Sequence, residues 1–362
     1  FCLSRGIGDV YKRQVLVNAD RGSSWRNIGG GRTAFSLPEL AEIAAQNHHI
    51  FKELQYLSNI DYKPIRYISF AHDEETYKAL EASKAWSKAE MIAPKQFREE
   101  ISPYFNANPK KYISALVSED CWQATPGKVV DLVRNLGIAA GGTVMEDCRV
   151  LEACREGKYT SVLVQTHDKK YVEYRTEHFV NALGSGAGKL CDSMGIDAGL
   201  YPVRHQAFIT RRLPMLGKHG TNLDMLIDRQ DYKGFSAVYG QQIAYTGQII
   251  GCASPKLDAM RIDKNLKVNT KAFLEIVSEM FSEWIPDLAG VGIQAVWAGY
   301  YTEPRYIVDP ELGLFVGMRG HGFMLSQYIA RMYVDKLLGR PVPEYFEKLK
   351  LNGPGLSEKA FK

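Results

Sequence analysis

The chain has 362 residues, 45% hydrophobic and 24% charged, with 45 basic and 41 acidic side chains and a formal net charge of +4. That balance suits a globular protein with a sizeable core, and the length suits two domains or one two-lobed one. No run of five basic residues occurs, which argues against a nucleic-acid footprint, and no apolar run approaches the roughly 18 residues of a membrane span.

The cysteines, Cys2, Cys121, Cys148, Cys154, Cys191 and Cys252, form no CxxC pair and no zinc spacing with histidine. Isolated thiols in a reducing, cytoplasmic compartment and no metal site are the expectation. The first residues lack an apolar core, so no signal peptide is expected either.

Near the start stands SRGIGDVYKRQVLVNAD (4–20), with Gly6 and Gly8 ahead of the apolar run Val15-Leu16-Val17. A dinucleotide fingerprint needs a strand before its glycines and a helix after them. Here too few residues precede Gly6, the spacing to Val15 admits no helix, and Tyr11 stands at the third glycine position. The stretch CLSRGIGDVYKRQ reads instead as translated adapter sequence. Residues 1–14 are thus expected to be non-native, and the first strand, loop and helix of the fold to be cut off.

Val15 to Val17 read as a buried strand, followed by a polar, glycine-rich loop over 21–32. Ser36 is positioned to cap a helix that begins at Leu37, with Pro38 and Glu39 in its first turn. Leu40, Ile43, Ala44, Phe51, Leu54 and Leu57 recur near helical spacing. RYISF (66–70) predicts a strand, 73–90 an exposed helix, and Thr125 opens a capped helix that runs to Gly141-Gly142 and then a strand. Strands are predicted at 160–166, 170–174 and 178–183, and 200–252 reads as β-rich. A helix is expected around 271–284, with Phe273, Ile276, Val277, Met280 and Phe281 on its apolar side. GLFVG (313–317) is a strand leading into an amphipathic helix that ends at Gly339. The end, NGPGLSEKAFK, is expected at the surface. Interleaved helices and strands mean α/β or α+β.

Three segments carry chemistry. GSSWRNIGGGR (22–32) joins hydroxyls, an amide and two arginines to three consecutive glycines, which allow close approach of backbone to a ligand. HFVNALGSGAGKL (178–190) ends an apolar run in glycines, where ligands of α/β folds sit. In GLFVGMRGHGFMLSQ (313–327) a strand passes through Gly320, His321 and Gly322 into a helix, whose amide end suits negative charge.

In this order the three segments resemble the D-amino-acid oxidase superfamily of FAD enzymes, with glycine oxidase, sarcosine oxidase and dimethylglycine dehydrogenase among its members. The resemblance runs from about Val15 to Pro343. It implies an α/β fold: an FAD-binding Rossmann-like domain over 15–60, 124–199 and 296–343, an interleaved antiparallel-sheet substrate domain over 61–123 and 200–295, and a C-terminal tail over 344–362. It assigns cofactor contacts to Ser24, Arg26, Asn27, Gly29, Gly30, Gly31 and Arg32 in the wrapping loop. Val150 would touch the adenine edge, with further contacts at Ala182, Leu183 and Gly184 and at Gly320, Gly322, Phe323 and Met324. His321, Tyr300 and Arg305 are the catalytic candidates, with Tyr301 as a further substrate-side group and 296–309 as the return strand below the flavin.

Departures from the family pattern sharpen these expectations. Asn18 and Ala19 stand where the acidic ribose ligand belongs, with Asp20 just beyond. The substrate-carboxylate arginine is not at its usual place, and Arg305 is its nearby substitute. No cysteine stands where some sarcosine oxidases tether flavin, so FAD is expected to be non-covalent. QQIAYTGQIIG (241–251) lacks the lysine from which some members activate oxygen, which favours a dehydrogenase over an oxidase. The implied reaction is oxidation of the C–N bond of a small amine or of an N-methyl or cyclic amino acid, by hydride transfer to flavin N5. The electron acceptor and oligomeric state are left open. A flavin-bound assembly or scaffold protein without catalysis is the alternative, and a flavin-dependent tRNA-modifying enzyme is disfavoured by the lack of a basic stripe.

Overall fold

The computed structural model describes residues 13–15, 22–106, 108–214, 216, 223–230, 235–243, 246–255 and 270–358. Residues 1–12, the ribose-side positions Asn18, Ala19 and Asp20, and Ala244 and Tyr245 of the lysine-free segment lie outside the described residues. In chain order the first half contains β1 (Arg13–Val15), α1 (Ser23–Arg26), β2 (Gly30–Gly31), α2 (Pro38–Leu57), β3 (Lys63–Ala71), α3 (Glu74–Ala82), β4 (Ala89–Ile92), α4 (Phe97–Glu100), β5 (Ser114–Gln123), α5 (Pro126–Ala139) and β6 (Thr143–Met145). There follow β7 (Arg149–Glu156), β8 (Tyr159–Gln165), β9 (Tyr171–Thr176), α6 (Ala187–Ser193), β10 (Tyr201–Thr210), β11 (Met225–Asp228), β12 (Phe235–Gln242) and β13 (Ile249–Pro255). The last elements are α7 (Thr270–Trp284), β14 (Ile293–Glu303), β15 (Ile307–Asp309), β16 (Leu314–Val316) and α8 (Gly322–Leu337). The fold is mixed α/β.

The chain divides into two compact units, each assembled from separated stretches. The first comprises 1–25, 126–203 and 300–357; the second comprises 26–125, 204–299 and 358–362. The segment 26–60 therefore clusters with the stretches on either side of α7 and not with α8.

In the first unit β1 pairs in parallel with β6, β7–β8–β9 form an antiparallel meander, and β15 and β16 form a hairpin. Ala187, Cys191, Ile307, Leu314 and Val316 build one apolar cluster, which ties α6 to the hairpin. In the second unit β10, β13, β12 and β11 run antiparallel, and β11 continues in parallel into β3, which is antiparallel to β5. The β-rich expectation over 200–252 thus holds, with the sheet extended by strands from far earlier in the chain. One face of this sheet carries the main core, including Phe70, Phe208, Phe273, Phe281 and Trp284, under α7.

Local structure departs from expectation at five places. Ser36 does not cap α2: Leu37 holds that position, while Ser36 gives its N–H and Oγ to the Glu358 carboxylate. The helix over 73–90 stops at Ala82, because Ser83 Oγ turns back to Leu80 O and Ser87 Oγ to Ser83 O. No strand forms over 178–183; Asn181 alone makes a parallel bridge, to Leu314, before the chain turns at Gly184. The return segment 296–309 is two strands, β14 and β15, since Pro304 lacks the N–H a continuous ladder needs. The C-terminal stretch is partly internal: Leu356 and Glu358 are buried.

Candidate functional site

In the first unit the bridge at Asn181 sets two segment ends side by side. Asn181 N–H donates to Gly313 O and Phe315 N–H to Asn181 O. Its side-chain Nδ2 donates to Ala187 O, and its Oδ1 accepts from Leu183 N–H. The Val-Asn-Ala-Leu-Gly motif is therefore locked by its asparagine, which leaves Ala182, Leu183 and Gly184 as the turn beyond it. Gly184 has φ +56°, and a Cβ placed there would meet nothing within 4 Å.

On the neighbouring strand, β16 runs through Gly317 into a turn at Arg319–His321 and then α8. Gly317 has φ +70°, and a Cβ there would lie 1.9 Å from Arg305 O. A Cβ at Gly320 would lie 2.4 Å from the Tyr301 ring. Glycine is thus imposed at both positions by space. His321 is the N-cap of α8, and its side chain makes no capping bond. The His321 ring is held by Tyr306, whose hydroxyl lies 2.5 Å from Nδ1. Arg319 Nε donates to Glu303 at 2.6 Å, fixing the turn to the end of β14.

The other catalytic candidates sit nearby in sequence and differ in their bonding. Ser23 Oγ donates to Tyr300 O at 2.6 Å, which ties the start of the loop to β14. Arg305 donates from Nη1 to Gly353 O and from Nη2 to Leu351 O, so its guanidinium clamps the C-terminal segment. Val150 lies in β7 opposite Val164 and packs in the cluster around Ala153, Val162 and Leu190. Trp25, next to Ser24, lies against Gly127 of α5.

In the second unit the rest of the glycine-rich loop is anchored by its own polar groups. Arg26 Nη1 donates to Ala298 O, and Trp297 Nε1 donates to Arg26 O, both at 2.8 Å. Asn27 Oδ1 accepts from Gly29 N–H, closing a tight turn. Gly30 and Gly31 pair with Gln123 and Trp122. A Cβ on Gly30 would strike the Tyr67 hydroxyl at 2.1 Å, and one on Gly31 would strike the Trp122 ring at 2.3 Å. Arg32 is buried, with its guanidinium over the Phe35 ring and Nη1 on Ala34 O.

The loop crosses a sheet face that sequence reasoning did not single out. Tyr67, Met225 and Ile227 pack there with Ile28, and Gln241 Nε2 donates to Ile28 O. The alternation in DMLID contained the signal, but only the pairing of β11 with β3 shows which residues share its face.

Among the described residues no group of three or more His, Cys, Asp or Glu side chains could hold a metal ion. No described helix is long and apolar enough to cross a membrane.

Glycine turns at the ends of neighbouring parallel segments, with a helix amide end beyond one of them, are features of a nucleotide-cofactor-binding α/β protein. The sequence profile of the FAD dependent oxidoreductase family, DAO, matches residues 11–336, and the chain belongs to that family. The chain resembles L-proline dehydrogenase from P. horikoshii (22% identity, 91% of this chain and 87% of that one, TM-score 0.72). It resembles glycine oxidase from Geobacillus kaustophilus (16%, 94% and 92%, 0.73) and L-amino acid deaminase from Proteus vulgaris (14%, 93% and 90%, 0.72) in the same way. At these identities the likeness is one of fold. No curated protein sequence matches the chain.

Proposed function

We propose that the chain is a flavoenzyme that binds FAD non-covalently and oxidises the C–N bond of a small amine or amino acid. The observation that carries this reading is the amide end of α8, approached through glycines, in a member of an FAD-dependent family. The first unit takes the cofactor role and the second the substrate role. Gly184, Gly320, Gly322, Phe323 and Met324 would hold the flavin in the first unit. When bound, FAD supplies the two-electron acceptor, taking hydride at N5.

The chain's own groups prepare that chemistry. First-turn amides and the α8 dipole stabilise negative charge without reorganising. Tyr306 orients His321 as a site-lining side chain. Tyr300 is a substrate-side group whose backbone Ser23 fixes. Arg305, spent on two carbonyls, serves as a clamp.

The test is the visible spectrum of the purified protein, recorded anaerobically with sarcosine, proline and glycine. Bleaching of the flavin bands by one of them supports the reading, whereas a bound flavin that no amine reduces favours a scaffold protein. Acid precipitation should release the flavin to the supernatant, and reduced enzyme should pass electrons to a dye faster than to oxygen. Flavin that stays with the pellet, or prompt peroxide formation, would count against non-covalent attachment and against a dehydrogenase respectively.

A further inference from the structure

We propose that the outer edge of β9 is a self-pairing surface, through which two copies of the chain join their three-stranded meanders into one continuous antiparallel sheet. The proposal is independent of the flavoenzyme reading.

β9 ends the β7–β8–β9 sheet, and among the described residues it pairs with β8 alone. Its outer row of N–H and C=O groups is a template for a further strand. Proteins commonly blunt such an edge with proline, with a bulge or with charge. Tyr-Val-Glu-Tyr-Arg-Thr holds no proline, and its register with β8 is unbroken over all six residues, whereas β7 and β8 shift between Val150 and Glu152. That leaves charge, and here the charges are arranged to accept a second copy.

Alternation along the strand sets the register. Tyr171, Glu173 and Arg175 are exposed, while Val172, Tyr174 and Thr176 are half-buried. Val172 and Tyr174 lie opposite Val164 and Val162 of the core. Two antiparallel copies related by a two-fold axis set one residue opposite itself. With Tyr174 on the axis, Glu173 of each copy faces Arg175 of the other, and Val172 faces Thr176. The exposed face then carries two opposite-charge pairs, and the half-buried face carries aromatic and β-branched pairs, both of which favour strand pairing. Tyr171, 66% exposed, lies diagonal to the facing arginine, within reach of an aromatic ring. Placing the axis on either neighbour sets Glu173 against Glu173 or Arg175 against Arg175, and like charges directly opposite are destabilising. Contacts within the chain are compatible with this pairing. Glu173 accepts from Ser161 Oγ, and a carboxylate has further acceptor sites. Arg175 lies over the Tyr159 ring at 4.4 Å and stands 3.9 Å from Glu156, beyond hydrogen-bond distance. A ladder of six residues covers less than the roughly 1,000 Å² of a lasting interface, so the dimer is reversible and depends on concentration.

Sedimentation velocity of the full chain, over about a hundredfold range of concentration, should show monomer passing into dimer. High salt should shift that passage to higher concentration, because exposed ion pairs are screened. Arg175→Glu and Glu173→Arg should each remain monomeric where the parent is dimeric. Their equimolar mixture should dimerise again, since each facing pair then has opposite charge, and a dimer through any other surface would not respond in this way. A parent that stays monomeric throughout, a dimer that survives Arg175→Glu, or a mixture that stays monomeric would overturn the proposal. Should Glu173→Arg fail to fold for want of its bond to Ser161, Arg175→Glu set against Arg175→Lys decides alone: the lysine keeps the charge and should keep the dimer.

Discussion

Two glycines show how differently one residue type can matter. Gly317 combines φ +70° with a carbonyl 1.9 Å from where a Cβ would sit. Gly317→Ala must strain the backbone and displace Arg305 O, and should cost about 1–3 kcal/mol, seen as a lower thermal midpoint. Gly137 lies inside α5, and a Cβ there meets nothing within 4 Å. Gly137→Ala should therefore stabilise the protein by about 0.5–1 kcal/mol in the same melt. Arg305 tests a different point: its guanidinium holds the carbonyls of Leu351 and Gly353. Arg305→Gln should open the 351–358 segment to limited proteolysis, and a cleavage pattern unchanged from the parent would contradict the clamp.

At the scale of elements, the far end of β11 joins four stretches of chain through one carboxylate. Asp228, buried on the face opposite Ile227, accepts from His72 Nε2 at 2.5 Å and from Gln230 Nε2 at 2.9 Å. Tyr112 also reaches it, and in turn accepts from Trp284 Nε1. His72 Nδ1 lies 2.8 Å from Lys111 O, so both ring nitrogens face acceptors and the ring is held as imidazolium. Burial acts to lower the His72 pKa, but the hydrogen bond and charge of Asp228 outweigh it, and the net shift is upward from 6.5. A raised folded-state pKa gives stability that is fully present below about 6.5 and is lost as pH rises through the folded value. Denaturant midpoints should thus fall on the alkaline side of 6.5, and Asp228→Asn should flatten that limb.

The sequence shows why this network was hard to foresee. RYISF and DMLID were both legible as strands from their alternation. Their parallel pairing across more than 150 residues is written in neither, because it depends on how the intervening chain is routed. The same reason hid which side chains share the β11 face, whereas the glycine loop and the α8 entry carry their chemistry in consecutive residues. Arg305 is hard to read in another way, since an arginine near an expected site reads alike whether it meets a ligand or a carbonyl.

Taken as a whole molecule, the protein carries histidines that oppose His72. His48 stacks on Trp122 with ring centroids 4.6 Å apart and meets the Tyr62 hydroxyl at 2.7 Å. Burial, then the charge of Lys52, brings its pKa down to about 4. His205 is lowered to about 3 by burial. A depressed folded-state pKa has the opposite sign: its stability is present above 6.5 and disappears as pH falls towards the folded value. His48 and His205 therefore erode stability from pH 6.5 down to about 4 and 3, while His72 erodes it above 6.5. All three belong to the second unit, so its stability should peak near neutral pH through competition between a held imidazolium and two neutral rings. His48→Gln should flatten the acid side of the profile and leave the alkaline side as steep as before. An acid limb of unchanged slope in chemical denaturation would show that His48 titrates alike folded and unfolded.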